Sequence, residues 1–229
     1  MTFEDKILKR YSGEKGKQYH QTKRSVPDEA YPWIAKLRAV KIQPLINKND
    51  TVLEYGVGTG WNLAELDCKR KIGFDLSQHL EPVVQSHGIE FVRNIKSIDD
   101  ASVDVIICHH MLEHTGNPAE ILNEIKRLLC ENGKLLLFVP FEKEGKYRHF
   151  NPDEPNHHLY SWNVQTLGNL LSDIGFMVLQ GKVREFGYDR FAAVWAVRLG
   201  LGQTGYRLIR KTIHLIKPAS EVYIMAKKE

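Results

Sequence analysis

Short apolar segments alternate with amphipathic segments between residues 51 and 140. This alternation is typical of a parallel β-sheet whose crossover connections are helices packed on its faces. Apolar runs predict the strands, and apolar residues that recur every three or four positions predict the helices. The predicted strands are residues 51–55, 70–75, 89–93, 103–108 and 134–139, and the predicted helices are 78–87 and 118–130.

The pattern extends beyond this region on both sides. Before it, residues 28–46 carry apolar side chains at roughly helical spacing, which predicts a helix against the sheet edge. After it, a predicted helix at 164–174 ends at Gly175 and is followed by a sixth strand at 176–180. Two more helices at 190–199 and 206–216 precede a last strand at 221–226, so the pattern predicts an α/β, doubly wound sheet with a helical insertion.

Composition restricts the class of protein. The 229 residues are 42% hydrophobic and 26% charged, which is enough for one substantial core. Residues 1–10 alternate apolar and charged side chains unlike a secretory signal, and no apolar run approaches the roughly 20 residues that span a bilayer. Three cysteines without a C-x-x-C pair disfavour a disulfide framework and a structural zinc site. We therefore expect a soluble, cytoplasmic protein.

Charge is unevenly distributed along the chain. Residues 1–24 hold seven Lys or Arg against three Asp or Glu, residues 25–140 hold twelve against sixteen, and residues 141–229 hold thirteen against nine. Basic flanks around an acidic centre suit an anionic substrate, and solvated lysine-rich termini produce the same split. Charge alone leaves both interpretations open.

A glycine-rich turn, Gly56-Val57-Gly58-Thr59-Gly60, follows the first predicted strand. Glycine lacks a Cβ and adopts positive φ, so the backbone can pass close to a bulky ligand. A dinucleotide site favours G-x-G-x-x-G, and here the third glycine comes one residue early. Glu54 beside the turn would also repel a diphosphate, whereas it could orient a loop that meets an ammonium group. The turn therefore argues against a nicotinamide oxidoreductase.

Asp75 ends the second predicted strand. A carboxylate at this position can accept hydrogen bonds from both hydroxyl groups of a ribose. The alternative is that Asp75 caps the following helix, a role that Ser77 fills equally well. The pairing of the turn with Asp75 favours the ribose role.

These segments together resemble the class I S-adenosylmethionine-dependent methyltransferases, and most closely the small bacterial enzymes that include ubiquinone-biosynthesis O-methyltransferases. The resemblance covers roughly residues 50–180. It implies a Rossmann-like, mostly parallel seven-stranded sheet with an antiparallel last strand. It also implies one methyltransferase domain with an N-terminal helical cap (1–47), a cofactor-binding core (48–182), and a helical insertion with the last strand (183–229). The matching runs are 52–60, 73–77, 103–114 and 132–137.

The resemblance assigns a role to each matching residue. Gly56, Gly58 and Gly60 would line the methionine part of S-adenosylmethionine, and Glu54 would hold the loop. Asp75 would bind the ribose and Leu76 would cover the adenine. Asn94 occupies a position that often contacts the adenine amino group, although aspartate is more usual there. His109 would approach the methionine end through its backbone, Tyr19 would reach the cofactor carboxylate, and Glu113 and His114 would fix the turn after the fourth strand.

Histidines are the candidate general bases, because imidazole accepts a proton near neutral pH. His110, His157 and His158 follow strands whose carboxyl ends border the ligand site in such folds. The alternative is that they bond to loop backbone, as most loop histidines do. His149, His157 and His158 have the chemistry of metal ligands, but no motif spacing supports a metal there, and no metal site is predicted.

Two flanking segments suggest further contacts. Residues 198–217 contain no acidic residue and interleave basic with apolar side chains, so they could meet an anionic substrate, a lipid-linked intermediate at a membrane surface or a partner subunit, or form a scaffold helix pair. Residues 11–24 are similar to segments that fold over the cofactor. The polar segment 141–155 is predicted to cover the active site.

The function predicted by these features is O-methylation of a small polar acceptor, such as a sugar or a cell-surface glycan precursor, with S-adenosylmethionine as methyl donor. Methylation of RNA or protein is the first alternative. It is disfavoured because His109-His110-Met111-Leu112 replaces the [DN]-P-P-[YFW] motif of base-amine methyltransferases and no separate aromatic and basic platform is evident. The second alternative is a catalytically inactive S-adenosylmethionine-binding module.

Overall fold

Seven strands form one sheet in the order β3-β2-β1-β4-β5-β7-β6. The structure is a computed structural model that describes residues 2–142, 149–152, 154 and 156–229. Strands β1 to β5 pair in parallel in this order, and β7 runs antiparallel to both β5 and β6. The predicted α/β fold with an antiparallel last strand is therefore confirmed. The strands are β1 Thr51–Tyr55, β2 Arg70–Phe74, β3 Glu90–Val92, β4 Val103–His109, β5 Leu129–Pro140, β6 Phe176–Glu185 and β7 Ser220–Lys228.

Eight α-helices surround the sheet within the described residues. Helix α8 (Gly202–Ile216) begins four residues before its predicted start, because its first turn is built from small and polar residues that carry no apolar signal. Strand β6 continues five residues beyond its predicted end, since it pairs with β7 as far as Glu185 and Ser220. Among the residues that the structure describes, no helix is both long and apolar enough to cross a membrane. The helices are α1 Phe3–Tyr11, α2 Gly13–Tyr19, α3 Tyr31–Ile42, α4 Glu81–Ser86, α5 Pro118–Leu128, α6 Val164–Ile174, α7 Asp189–Arg198 and α8 Gly202–Ile216.

The sheet is buried on both faces, as a doubly wound arrangement requires. On one face Leu53 and Ile106 pack with residues of α5 and α6. On the other face Val52 and Ile107 pack with residues of α3 and α4. A third cluster joins α3 to α7 and α8, where alanines of α7 pack with larger side chains of α3 and α8. The insertion before β7 is therefore packed on α3 through residues Ala30, Ile34, Ala192, Ala193, Ala196 and Tyr206.

The connection between β1 and β2 begins with the glycine turn, which is held against β2. The backbone N–H groups of Gly56 and Val57 both donate to the carbonyl oxygen of Phe74, at 2.8 and 2.9 Å. Gly60 has φ of 84°, and a Cβ at this position would lie 2.7 Å from Cδ1 of the buried Ile89. A glycine is therefore required here by both backbone conformation and close packing.

Replacing Gly73 with alanine is expected to destabilise the protein. The new Cβ would lie 2.8 to 3.0 Å from three atoms of Val57, a buried and rotationally restricted residue of the glycine turn. The backbone must therefore shift, at a cost of about 1–3 kcal/mol. The same change at Gly168 in α6 meets nothing within 4 Å and is expected to stabilise by up to about 1 kcal/mol, because alanine has the higher helix propensity. Urea unfolding of both variants measures the difference, and effects of the same sign would contradict this packing.

Candidate active site

A cavity of about 520 Å³ lies at the carboxyl ends of β1 to β4. This is where the sheet order reverses between β1 and β4, the position at which ligands bind in open α/β sheets. We call it the glycine-turn cavity. Residues of α1 and α2 contribute to its lining. It is lined mainly by residues of the turn and of the four strand ends together with Ile7, Leu8, Tyr11, Tyr19, His20, Arg38, Trp61 and Asn62.

A second cavity of about 520 Å³ adjoins the first. The ends of β5 and β6 and the residues that lead into β7 form its walls. Tyr19, His110 and His114 line both cavities. Two molecules bound side by side would therefore meet at these three side chains. The other residues that line the second cavity are Glu113, Pro140, Phe141, Glu142, Asn156, His158, Phe186, Gly187, Tyr188 and 217–220.

Asp75 connects the glycine turn to the end of β2. Its Oδ2 accepts a hydrogen bond from the backbone N–H of Gly58 at 2.9 Å, and its Oδ1 accepts one from the N–H of Ser77 at 2.8 Å. The same carboxylate lines the glycine-turn cavity. Asp75 therefore fixes the local backbone and also borders the space available to a ligand.

Glu54, at the end of β1, is 2% exposed. Its Oε1 accepts a hydrogen bond from Nδ2 of Asn62 at 2.5 Å, whereas Oε2 has no hydrogen-bond partner among the described residues. Burial raises the pKa of this carboxyl to about 8, against the opposing effects of Asn62 and Arg38. A buried acceptor on the wall of a cavity is suited to a cationic group of a ligand.

Arg38 of α3 holds several groups at this edge of the sheet. Its Nη2 donates to Oδ2 of Asp189 at 2.8 Å, and its Nη1 lies 2.7 Å from Nε2 of His109. Arginine has no acceptor, so Nε2 of His109 accepts this bond and the ring proton lies on Nδ1. Burial opposes ionisation of Asp189, but Arg38 and Arg210 outweigh it and keep the Asp189 pKa low. The side chain of His109 is thus a neutral, anchored group.

His110 is held by Glu221, the second residue of β7. Nε2 of His110 lies 3.1 Å from Oε2 of Glu221, whose residue is 2% exposed. Burial raises the pKa of Glu221 to about 7, although Arg38 and Lys41 oppose the rise. His110 has φ of 51°, a left-handed conformation that non-glycine residues rarely adopt and that clusters at functional sites.

The structure places the other predicted cofactor residues in two groups. Gly56, Gly58, Leu76 and Tyr19 line the glycine-turn cavity, as do Glu54, Asp75 and His109. Gly60 does not line it, because this residue is buried against Ile89. Asn94 does not line it either. Its exposed side chain caps a short turn by accepting from the N–H of Lys96 at 3.1 Å.

Of the three candidate bases, two line the second cavity and one lines neither cavity. His110 and His158 line the second cavity, and Nδ1 of His158 lies 2.9 Å from Oε1 of Glu142. His157 lines neither cavity, and its backbone N–H donates to Glu154 at 2.7 Å. His149 is exposed. The covering role predicted for 141–155 falls partly on residues 143–148, 153 and 155, which lie outside the described residues.

The basic segment 198–217 has two kinds of side chain. Arg210 is turned toward the protein, where its Nε donates to Oδ1 of Asp189 at 2.7 Å, so it serves as a scaffold residue. Arg207 and Lys211 are exposed on α8 beside the exposed Leu208 and Leu215. Contact of this face with a membrane or an anionic substrate stays a prediction.

Several polar residues of the site, among them Glu221 and Arg38, are not among the candidates that the sequence predicts. Glu221 had a usable signal, because a last strand that runs antiparallel to its neighbours begins at the carboxyl edge of the parallel strands. Arg38 lies within a predicted helix and gave no signal of its own, since nothing in the sequence pairs it with Asp189.

Comparisons with known proteins agree with this architecture. The profile of a family described as a methyltransferase domain matches residues 24–180. A probable S-adenosylmethionine-dependent methyltransferase of Mycobacterium tuberculosis is 28% identical over 169 residues, which are 67% of this chain and 60% of that protein. A ubiquinone biosynthesis O-methyltransferase of Xanthomonas oryzae is 32% identical over 99 residues, which are 38% of this chain and 41% of that protein. The chain thus spans about 60% of the length of its mycobacterial relative.

A solved structure shows the same fold. The 1,6-didemethyltoxoflavin-N1-methyltransferase of Burkholderia thailandensis, with bound 1,6-didemethyltoxoflavin and S-adenosylhomocysteine, superposes with a TM-score of 0.65. The superposition covers 100% of this chain and 91% of that one, at 17% identity. Because the family profile covers more than half of the chain, and the glycine turn and strands β1 to β5 lie where that profile matches, the chain belongs to the class I S-adenosylmethionine-dependent methyltransferases.

Proposed function

We propose that this protein transfers the methyl group of S-adenosylmethionine to a hydroxyl group of a small polar acceptor, such as a sugar or a cell-surface glycan precursor. The observation that supports this proposal most directly is the pair of cavities that share His110. In methyl transfer the protein mainly positions two molecules and excludes water. Two adjoining cavities with a histidine at their junction suit that task.

The residues of the glycine-turn cavity fit the cofactor. Oε2 of Glu54 would accept from its ammonium group, and Asp75 would accept from the ribose hydroxyls. The indole Nε1–H of Trp61, which is buried without a hydrogen-bond partner among the described residues, would donate to its carboxylate. Leu76 offers an apolar surface for adenine. When bound, the cofactor supplies an electrophilic methyl group on a sulfonium.

The second cavity combines aromatic and polar side chains. Phe141 and Phe186 provide apolar surface, while Asn156, Tyr188 and Lys217 provide hydrogen-bonding groups. Rings that carry several hydroxyl groups need both kinds of contact, because their faces are apolar and their edges are polar. This lining supports a hydroxylated small molecule more than an RNA or a protein segment.

His110 is the proposed general base. If Nε2 of His110 donates its proton to Glu221, the lone pair of the ring lies on Nδ1, where it can accept a proton. As the acceptor oxygen forms its bond to the methyl carbon, the O–H bond breaks and the proton moves to His110. The bound cofactor would supply the methyl group with loss of its carbon–sulfur bond, whose electron pair would stay on sulfur. Glu221 would stabilise the imidazolium that results.

Asp75→Ala is expected to weaken S-adenosylhomocysteine binding by about 10- to 100-fold, because hydrogen bonds to an ionised group are lost. Asn94→Ala is the matched control, and it should bind as the parent protein does because Asn94 lies outside the cavity lining. Isothermal titration calorimetry measures both. Unchanged affinity in Asp75→Ala would refute the ribose contact. A tenfold loss of affinity in Asn94→Ala would support the predicted contact of Asn94 with the cofactor.

Binding of S-adenosylhomocysteine is expected to strengthen as pH rises from about 6 to 8. Its ammonium group favours ionised Glu54, whose pKa in the ligand-free protein is about 8, so binding at neutral pH must release a proton. Calorimetry in two buffers of different ionisation enthalpy measures that proton. Glu54→Gln cannot release it, so its affinity should change less over this pH range. Equal pH dependence in the two proteins would contradict the contact.

His110→Ala is expected to lower kcat for methyl transfer by about 100-fold or more, since a general base contributes at least that much. Glu221→Gln should lower kcat by less, with KM nearly unchanged, because it still accepts a hydrogen bond but lacks the charge. His157→Ala is the control and should keep the parent rate. The assay uses radiolabelled S-adenosylmethionine with a panel of sugars, phenols and amines. Full activity of His110→Ala on an acceptor that the parent protein methylates would exclude His110 as the base.

Binding of S-adenosylhomocysteine by the parent protein without turnover on any of these acceptors, or on RNA or protein, would favour the inactive binding module.

A further inference from the structure

The turn after β4 and the segment after β5 bring a carboxylate and two imidazoles together. Glu113, His114 and His158 each offer one ligand atom, and these atoms all lie within 4.8 Å of one another. All three residues line the second cavity. Their chemistry is that of a metal site, and they come from parts of the sequence 44 residues apart.

The two imidazole rings are oriented by other side chains. Nδ1 of His114 lies 3.0 Å from the hydroxyl oxygen of Tyr11, and Nδ1 of His158 lies 2.9 Å from Oε1 of Glu142. An Nδ1–H that donates to oxygen places the ring lone pair on Nε2. Histidines that bind metal ions almost always have this second hydrogen bond, often to a carboxylate.

Glu113 supplies the negative charge. It is 1% exposed, and both of its carboxylate oxygens are buried. Its Oε1 lies 3.7 Å from Nε2 of His114, which is too long for a hydrogen bond. Two atoms that each lie about 2.1 Å from one ion at a tetrahedral angle are about 3.4 Å apart. The separation therefore suits two ligands of a shared cation.

A second group, His109, His110 and Glu221, also offers three ligand atoms that lie within 4.8 Å of one another. It does not suit a cation, because Nε2 of His109 accepts from the guanidinium of Arg38 at 2.7 Å. That nitrogen is occupied, and the positive charge of Arg38 would repel a metal ion. The structure thus favours the group that contains His158.

We propose that Glu113, His114 and His158 bind a divalent transition-metal ion, such as Zn²⁺ or Mn²⁺, in the wall of the second cavity. Two imidazole nitrogens and one carboxylate favour these ions over Mg²⁺ and Ca²⁺, which prefer oxygen ligands. Three protein ligands leave a coordination position open, as in catalytic rather than structural sites.

The role of the ion rests on the proposed function. A hydroxyl group of the acceptor that occupies the open position becomes more acidic, because the metal stabilises the alkoxide. The metal would thus activate the oxygen and hold it in place for attack on the methyl carbon. As the oxygen attacks, the O–H bond breaks, its proton passes to His110 on the same cavity, and the metal keeps its charge.

Metal binding is tested on the 229-residue protein after treatment with EDTA, by calorimetric titration with Zn²⁺ and with Mn²⁺ and by the d–d absorption bands of added Co²⁺. His158→Ala and Glu113→Gln should weaken Zn²⁺ binding by more than the about 10- to 100-fold expected for Glu142→Gln, which removes only the supporting carboxylate. His157→Ala is the matched control, since this neighbouring histidine lines neither cavity. Thermal unfolding checks that each variant folds. If Glu113→Gln does not fold, His158→Ala alone tests the site.

Zn²⁺ binding that is lost in His158→Ala and kept in His157→Ala supports the site. Absence of Zn²⁺ and Mn²⁺ binding in the parent protein, or equal loss in the two histidine variants, overturns it. Methyl transfer that continues unchanged after EDTA removes a bound ion would refute the role of the metal and leave the proposed function intact. Failure of methyl transfer with and without metal, while Zn²⁺ still binds, would count against the proposed function alone.

Discussion

The buried guanidinium of Arg38 joins parts of the chain that meet only in the folded state. From α3 it bonds to His109 at the end of β4 and to Asp189 at the start of α7, and Arg210 of α8 completes the charge balance around Asp189. Removal of one partner from such a buried pair costs about 3–5 kcal/mol, because the remaining charge stays buried. The helical insertion and the strand ends that border the site are therefore fixed to one another by a few charged groups.

Burial of carboxylates is the second constraint on this site. Glu54, Glu113 and Glu221 are all nearly inaccessible and all lie at the carboxyl edge of the sheet. In the ligand-free protein Glu54 and Glu221 have raised pKa values because water cannot solvate their charged forms. A cationic ligand group beside Glu54 and a protonated His110 beside Glu221 would each favour the ionised carboxylate. Such groups are costly in a core and are retained where a ligand or a proton compensates them.

The spacing of apolar and polar residues correctly predicted those helices and strands whose bounds are set by their own residues. Helix α6 has its predicted bounds, since Asn163 caps its start and Gly175 in a left-handed conformation ends it. The far end of β6 was missed, because its exposed and polar residues are extended only through pairing with β7. Among the cofactor candidates, Asp75 and Gly58 line the cavity, whereas Asn94 caps a short turn and Gly60 packs against Ile89 outside the cavity lining.

The sequence alone determined the α/β fold, the glycine turn, its pairing with Asp75 and the resemblance to S-adenosylmethionine-dependent methyltransferases, because each of these depends on residues close together along the chain or on strand order. Only the tertiary structure decided which distant side chains share a cavity. Glu221 reaches His110 across 111 positions, and His158 joins Glu113 and His114 only because β4 and β5 are neighbours in the sheet. Such contacts depend on strand register and burial, which the spacing of residues along one chain does not encode directly.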